Sequence, residues 1–205
     1  MRILIFGDSV GQGFYDEIDG GWVRMLQRDY FADDIAGKSY INVINLSVSG
    51  HSSNEVLERL DNESTARQND DKMTIILAIG VNDSYEKNGQ RRTEESDFTN
   101  NVTTIIERAK SYGDVLVLGC SACVDSRVQP TGWNPVLHYS NELLQKYEAL
   151  LQVCAYKAAV PFVPLWTITN KAQQEQETLP DGIHPNNAEH KVIYETVKEN
   201  LRQFA

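Results

Sequence analysis

Five short runs of apolar, largely β-branched residues recur along the chain: RILIF (2–6), INVINLSV (41–48), MTIILAIG (73–80), DVLVLG (114–119) and PFVPLW (161–166). Each is nearly continuous in hydrophobicity, the pattern of strands buried on both faces, as in a parallel sheet. Between them the apolar period lengthens to that of a helix. Residues 21–31 carry Trp22, Leu26 and Tyr30 on one face. A second helix is predicted from Ser52, where S-S-N-E offers a capping box closing on Glu55 ahead of Val56, Leu57 and Leu60. A third spans 93–111 and stops near Gly113. The longest covers 139–159, with Leu143, Leu144, Tyr147, Leu150, Leu151 and Cys154 as its buried stripe. The last begins at Asn186 or Asn187 and carries Val192, Ile193, Val197 and Leu201.

Five strands alternating with helices predict a doubly wound α/β fold: a three-layer α/β/α arrangement around a five-stranded parallel sheet, flavodoxin-like, with right-handed crossovers. No internal repeat, low-complexity tract or linker interrupts the 205 residues, so a single domain over 1–205 is expected. The stretches 84–92, 121–136 and 167–180 are polar and read as loops.

Charge narrows the partners. Acidic residues outnumber basic ones 29 to 19, a formal net charge of −10. That balance repels phosphate backbones and anionic lipid surfaces, which argues against nucleic acid as a partner. The apolar stretch Ile3–Phe6 is shorter than a signal-peptide core, and no later run approaches transmembrane length. A cytoplasmic protein with no membrane insertion is the expectation. The cysteines, Cys120, Cys123 and Cys154, are odd in number, which speaks against a disulfide framework. Metal-ligand spacings such as H-E-x-x-H are absent, so neither a metal nor another cofactor is predicted.

In an open α/β sheet, ligands bind beyond the carboxyl ends of the strands. The first strand is followed by GDSVGQG, the second by SVSGHSSN, the third by GVNDS, the fourth by GCSACVD, and the fifth by a polar loop ending in LPDGIHPNN. A serine, a histidine, an aspartate, a side-chain amide and several glycines thus converge on one edge. FGDSVGQG alone admits other chemistries. A Walker A loop needs Lys and Ser/Thr after its last glycine, and here Phe14 and Tyr15 follow Gly13; the dinucleotide G-x-G-x-x-G order also fails. Gly7–Gly11 satisfies the G-x-S-x-G nucleophile elbow, but that elbow sits on a central strand and here only one strand leads to Ser9. Cys120-Ser-Ala-Cys123 ends a strand instead of opening a helix, as a redox C-x-x-C does, and lacks the second pair a zinc site needs. It reads as packing at the strand end.

The blocks FGDSVGQG, NLSVSGHSS, GVND (80–83) and DGIHPN (181–186) together resemble the GDSL, or SGNH, hydrolase superfamily, whose four letters fall in order on Ser9, Gly50, Asn82 and His184. The one departure, Val10 where leucine is commonest, is an apolar exchange. The resemblance implies an SGNH hydrolase fold and a serine esterase acting on a small-molecule ester through an acyl-enzyme. Ser9 is then the nucleophile. Its hydroxyl needs a base, and neutral imidazole at His184 fits, with Asp181 three residues earlier to fix the tautomer. The implied oxyanion donors are the backbone N–H groups of Ser9 and Gly50 and the amide of Asn82. Hydrolysis is expected to fall as pH drops through roughly 6.5, the ordinary histidine range. Asp8 and Asp83 are expected to order their turns. His51, at the rim, and Trp133, in the irregular TGWNP segment, are candidates for touching substrate; His138 and His190 have no assigned role. The polar loops lean toward a small or polar acyl ester, with carbohydrate O-acetylesterase or thioesterase as alternatives. Outside hydrolases, a catalytically silent binding domain or a C-x-x-C redox protein remain.

Overall fold

The computed structural model describes residues 1–204. In chain order its elements are β1 (Arg2–Gly7), α1 (Ser9–Gln12), α2 (Trp22–Ile35), β2 (Asn42–Asn45), α3 (Ser53–Thr65), β3 (Met73–Ala78), α4 (Val81–Ser84), β4 (Glu86–Lys87), β5 (Gln90–Arg91), α5 (Glu95–Lys110), β6 (Asp114–Leu118), α6 (Asp125–Val128), β7 (Leu137–His138), α7 (Asn141–Lys157), β8 (Phe162–Val163), α8 (Trp166–Glu175) and α9 (Asn187–Leu201). The main sheet is five-stranded and parallel, in the order β2-β1-β3-β6-β8, as the apolar runs predicted.

Alternation along the strands divides the core. Leu4 and Phe6 of β1, Ile75 and Leu77 of β3, and Val115 and Val117 of β6 face α3, α5 and α7 through Val56, Leu60, Val102, Ile105 and Tyr147. Their neighbours Ile3, Ile5, Ile76, Leu116 and Leu118 face α2 and α9 through Trp22, Leu26, Ile193 and Val197. Burying such side chains stabilises by roughly 1.5–3 kcal/mol each, which fixes the three layers. The capping box at the start of α3 is formed, with the Ser52 amide and hydroxyl both donating to Glu55 Oε2 at 2.7 and 2.6 Å. Among the described residues no helix is long and apolar enough to cross a membrane.

Several elements depart from the expected boundaries. α2 continues to Ile35, beyond its apolar stripe, because backbone hydrogen bonds such as Ala36 N to Ala32 O carry exposed residues forward. The edge strands are shorter than their apolar runs. β8 is confined to Phe162–Val163 between Pro161 and Pro164, which have no N–H to offer the ladder. Residues 167–180, expected as loop, mostly form α8; the Lys-Ala-Gln-Gln-Glu tail favours helix, but Thr169 is its one buried residue, so no apolar stripe announces it. Residues 84–92 form the hairpin β4–β5, and β4 also pairs antiparallel with β7 to make a second, three-stranded sheet. His138 lies in that sheet.

Candidate active site

Ser9, Gly50 and Asn82 lie past the carboxyl ends of β1, β2 and β3, and Asp181 and His184 lie in the turn that leads into α9. Asp8, just past β1, caps α1 by accepting the Val10 amide on Oδ1 at 2.9 Å, and Ser9 is the first residue of that one-turn helix. The turn packs against the segment after β2 so closely that a Cβ on Gly11 would lie 2.2 Å from Ser47 Oγ. Across the sheet edge, Ser9 Oγ lies 2.9 Å from His184 Nε2. His184 Nδ1 is 2.6 Å from Asp181 Oδ2, while Asp181 Oδ1 accepts the backbone amides of Ile183 (3.0 Å) and His184 (2.8 Å). Gly182, at φ +96°, makes that turn without side-chain strain. Burial works to raise the Asp181 carboxyl, but the hydrogen bonds from the His184 ring and backbone outweigh it and hold it below the usual range. Since a carboxylate only accepts, the imidazole proton sits on Nδ1 and the Nε2 lone pair faces the serine hydroxyl.

Asn82 is carried by the short α4, which follows Gly80 in the left-handed region. Its Nδ2 donates to the carbonyl of His51 at 3.1 Å and to Asp8 Oδ2 at 3.3 Å, and its Oδ1 accepts from the Tyr139 hydroxyl at 3.1 Å. Both amide hydrogens are therefore engaged, and any anion stabilised here shares them. Burial pushes the Asp8 carboxyl up to about 6. Asp83 ties α4 to α3 through the Ser53 amide and hydroxyl, and burial raises it as well. Gly50 has φ +78° and open space around its would-be Cβ, so glycine there answers to backbone conformation. Its carbonyl is held by Arg92 at 2.7 Å. His51 is half-buried, and its Nδ1 has no partner.

Three half-exposed aromatic rings surround the His184 imidazole, with centroids 5.5 Å (Phe14), 5.5 Å (Tyr15) and 5.7 Å (Trp133) away. Sequence reasoning found Trp133 and missed the other two. Their signal was present: two bulky aromatics directly after a glycine-rich turn at a sheet edge. The segment carrying them is anchored to α9. Asp16 accepts the amides of Ile18, Asp19 and Gly21 and the Asn187 Nδ2, all within 3.0 Å. His190, which has no predicted role, is buried here; Nε2 donates to Phe14 O at 3.2 Å and Nδ1 accepts from the Trp22 amide at 3.4 Å.

The three cysteines are buried free thiols. Burial raises Cys120 and Cys123 well above the ordinary thiol range, which removes the thiolate that redox exchange requires. Among the described residues no group of three or more His, Cys, Asp or Glu is arranged to hold a metal.

The model of the GDSL-like lipase/acylhydrolase family matches residues 5–192. The human isoamyl acetate-hydrolyzing esterase 1 homolog is 25% identical over 196 residues, covering 89% of this chain and 74% of that protein. The crystal structure of the lipase/acylhydrolase from Enterococcus faecalis superposes with a TM-score of 0.77 at 20% identity, covering 98% of this chain and 95% of that one. The acetyl xylan esterase AlAXEase gives a TM-score of 0.76 at 15% identity, covering 98% and 100%. These two structures share the fold. The chain belongs to the GDSL-like lipase/acylhydrolase family and is a hydrolase acting on esters.

Proposed function

We propose that residues 1–205 act as one catalytic domain, a serine esterase that cleaves small-molecule carboxylic esters through an acyl-enzyme on Ser9. The hydrogen-bonded chain from Ser9 Oγ through His184 to Asp181, at 2.9 and 2.6 Å, carries this reading. His184 Nε2 takes the hydroxyl proton as Oγ attacks the ester carbonyl, and Asp181 stabilises the imidazolium that forms. The backbone amides of Ser9 and Gly50 and the Asn82 amide receive the negative charge on the carbonyl oxygen. Collapse expels the alcohol, which leaves with the proton returned by His184. Water, deprotonated by the same imidazole, then attacks the acyl carbon; its oxygen goes to the acid and Ser9 Oγ regains its proton.

Phe14, Tyr15 and Trp133 form the rim on the His184 side, where the leaving alcohol departs, and His51 borders Asn82 through its carbonyl. Half-exposed aromatic faces favour stacking against a planar or pyranose alcohol, which supports a second reading: O-deacetylation of a carbohydrate. The test is a fluorophosphonate label located by mass spectrometry, with Ser9→Ala as control. Stoichiometric labelling at Ser9, with hydrolysis lost in the variant, is expected. Labelling elsewhere, or an active but unlabelled protein, would overturn the assignment. Aryl esters of increasing acyl length, run beside acetylated xylan, separate the two substrate readings.

A further inference from the structure

The small three-stranded sheet has no counterpart in the apolar pattern of the chain, yet it lies against the groups assigned above to the developing oxyanion. Tyr85 joins α4 to β4, and β4 pairs with β7 in the register Glu86↔His138 and Lys87↔Leu137. Tyr139 follows β7 directly. The pairing therefore brings Tyr139 onto Asn82 across 57 residues of sequence. Its ring is almost wholly buried, 6% exposed, and meets the Tyr85 ring edge-on at 5.3 Å. The Arg92 guanidinium lies over the other partner of this pair, 5.3 Å from the Tyr85 centroid, and reaches on to the Gly50 carbonyl. One platform thus touches both Asn82 and the Gly50 turn.

The chemistry at Asn82 is directional. His51 O and the Asp8 carboxylate take its N–H groups, and Tyr139 is the group that donates to its Oδ1. Burial raises the phenol far above neutral pH, so its proton is always there to give. A donor on the carbonyl end of an amide polarises it and strengthens the N–H groups at the other end. Such strengthening matters most where negative charge develops, in the transition state.

We propose that Tyr139 is a positioning residue for the reaction: its hydroxyl fixes and polarises the Asn82 amide, so that Nδ2 is presented as an oxyanion donor. This rests on the assignment of Asn82 to the oxyanion hole. The experiment is a double-mutant cycle of Tyr139→Phe and Asn82→Ala, with steady-state hydrolysis of a short-chain p-nitrophenyl ester and a thermal melt for each variant. Tyr139→Phe keeps the ring against Tyr85 and removes one hydrogen bond. Its kcat is expected to fall about tenfold with KM within twofold of the parent. Asn82→Ala is expected to lose roughly 100-fold or more. Adding Tyr139→Phe to Asn82→Ala is expected to cost less than a further twofold, because the hydroxyl then has no amide to act on. If Asn82→Ala is as active as the parent, the oxyanion-hole assignment itself fails. If Asn82→Ala is impaired but Tyr139→Phe is silent, raises KM alone, or adds its full penalty to Asn82→Ala, the role of Tyr139 is refuted and the assignment stands.

Discussion

Asp181 uses its two oxygens for different purposes, which makes Asp181→Asn a directed perturbation. Oδ1 receives two backbone amides and Oδ2 receives the imidazole. In the asparagine variant the amide oxygen stays with the two backbone N–H groups, since the reverse orientation sets N–H against N–H. The NH₂ then faces His184 Nδ1 and demands a lone pair there, which drives the ring proton to Nε2. An Nε2–H donates to Ser9 Oγ instead of accepting from it, so the base is lost while the geometry is kept. The same tautomer error in serine proteases costs about 10⁴-fold in kcat, equivalent to ~5.5 kcal/mol of barrier. Asp181→Ala does not enforce the wrong tautomer, so its activity is expected to match or exceed that of Asp181→Asn. It does strand the two backbone amides, at about 2 kcal/mol in total, which lowers Tm by roughly 4–8 °C relative to Asp181→Asn. Single-turnover hydrolysis of a p-nitrophenyl ester and thermal melts of both variants decide it. Retention of more than a tenth of the parent kcat by Asp181→Asn, or an alanine variant ten times slower than the asparagine one, refutes the tautomer argument.

Two further predictions concern stability. Glu189, fully buried with Oε1 unpartnered, has its carboxyl pushed up from 4.5 to about 7 by burial. The folded state thus keeps a proton that the unfolded chain releases, so Glu189's own contribution to stability is most favourable below about pH 4.5 and declines as pH rises to about 7, by up to about 3 kcal/mol. Denaturant titrations of Glu189→Gln and parent should show the variant gaining on the parent by roughly 1–3 kcal/mol between pH 5 and pH 8; an equal gap at both pH values contradicts the burial argument. A Cβ on Gly80, at φ +116°, would lie 2.9 Å from Cys120 Sγ and 3.2 Å from Leu151. Gly80→Ala should therefore cost about 2–4 kcal/mol, from backbone strain and overpacking together. In Gly80→Ala/Cys120→Ala the costs should be less than additive, and strict additivity in chemical denaturation argues against the contact.

The legibility of this chain follows from where each signal is local. β1, β3 and β6 are buried on both faces, so their runs are apolar throughout and the sequence marks them with little ambiguity. The edges are harder. INVINLSV extends past β2 because Asn45 turns its side chain to the Gly11 carbonyl (2.8 Å) and to the Ser47 amide, ending the strand with side-chain bonds. α8 carries no apolar stripe, and the strands of the small sheet are too short for any period. At the candidate site, Ser9, Gly50, Asn82, Asp181 and His184 sit in short blocks whose chemistry is visible locally. Tyr139 and Arg92 do not. Each acquires its place through a partner far along the chain, and nothing in YSNE or QRRT announces it.

The two walls of aromatic residues around His184 differ in how they are held, with a consequence for altering substrate range. Phe14 and Tyr15 belong to a segment tied through Asp16, Asn187 and His190 to the helix that follows the base-bearing turn. Backbone changes in that wall act on the start of α9, directly after the turn that carries His184. Trp133 sits at the tip of a turn closed on itself, where Thr131 and Asn134 exchange hydrogen bonds and the Thr131 amide donates to the Leu137 carbonyl. Residues can be exchanged or inserted at that tip while its closure stays local. Directed libraries aimed at new alcohols belong at 132 and 133, and the wall of Phe14 and Tyr15 is best left as the fixed reference against which they are selected.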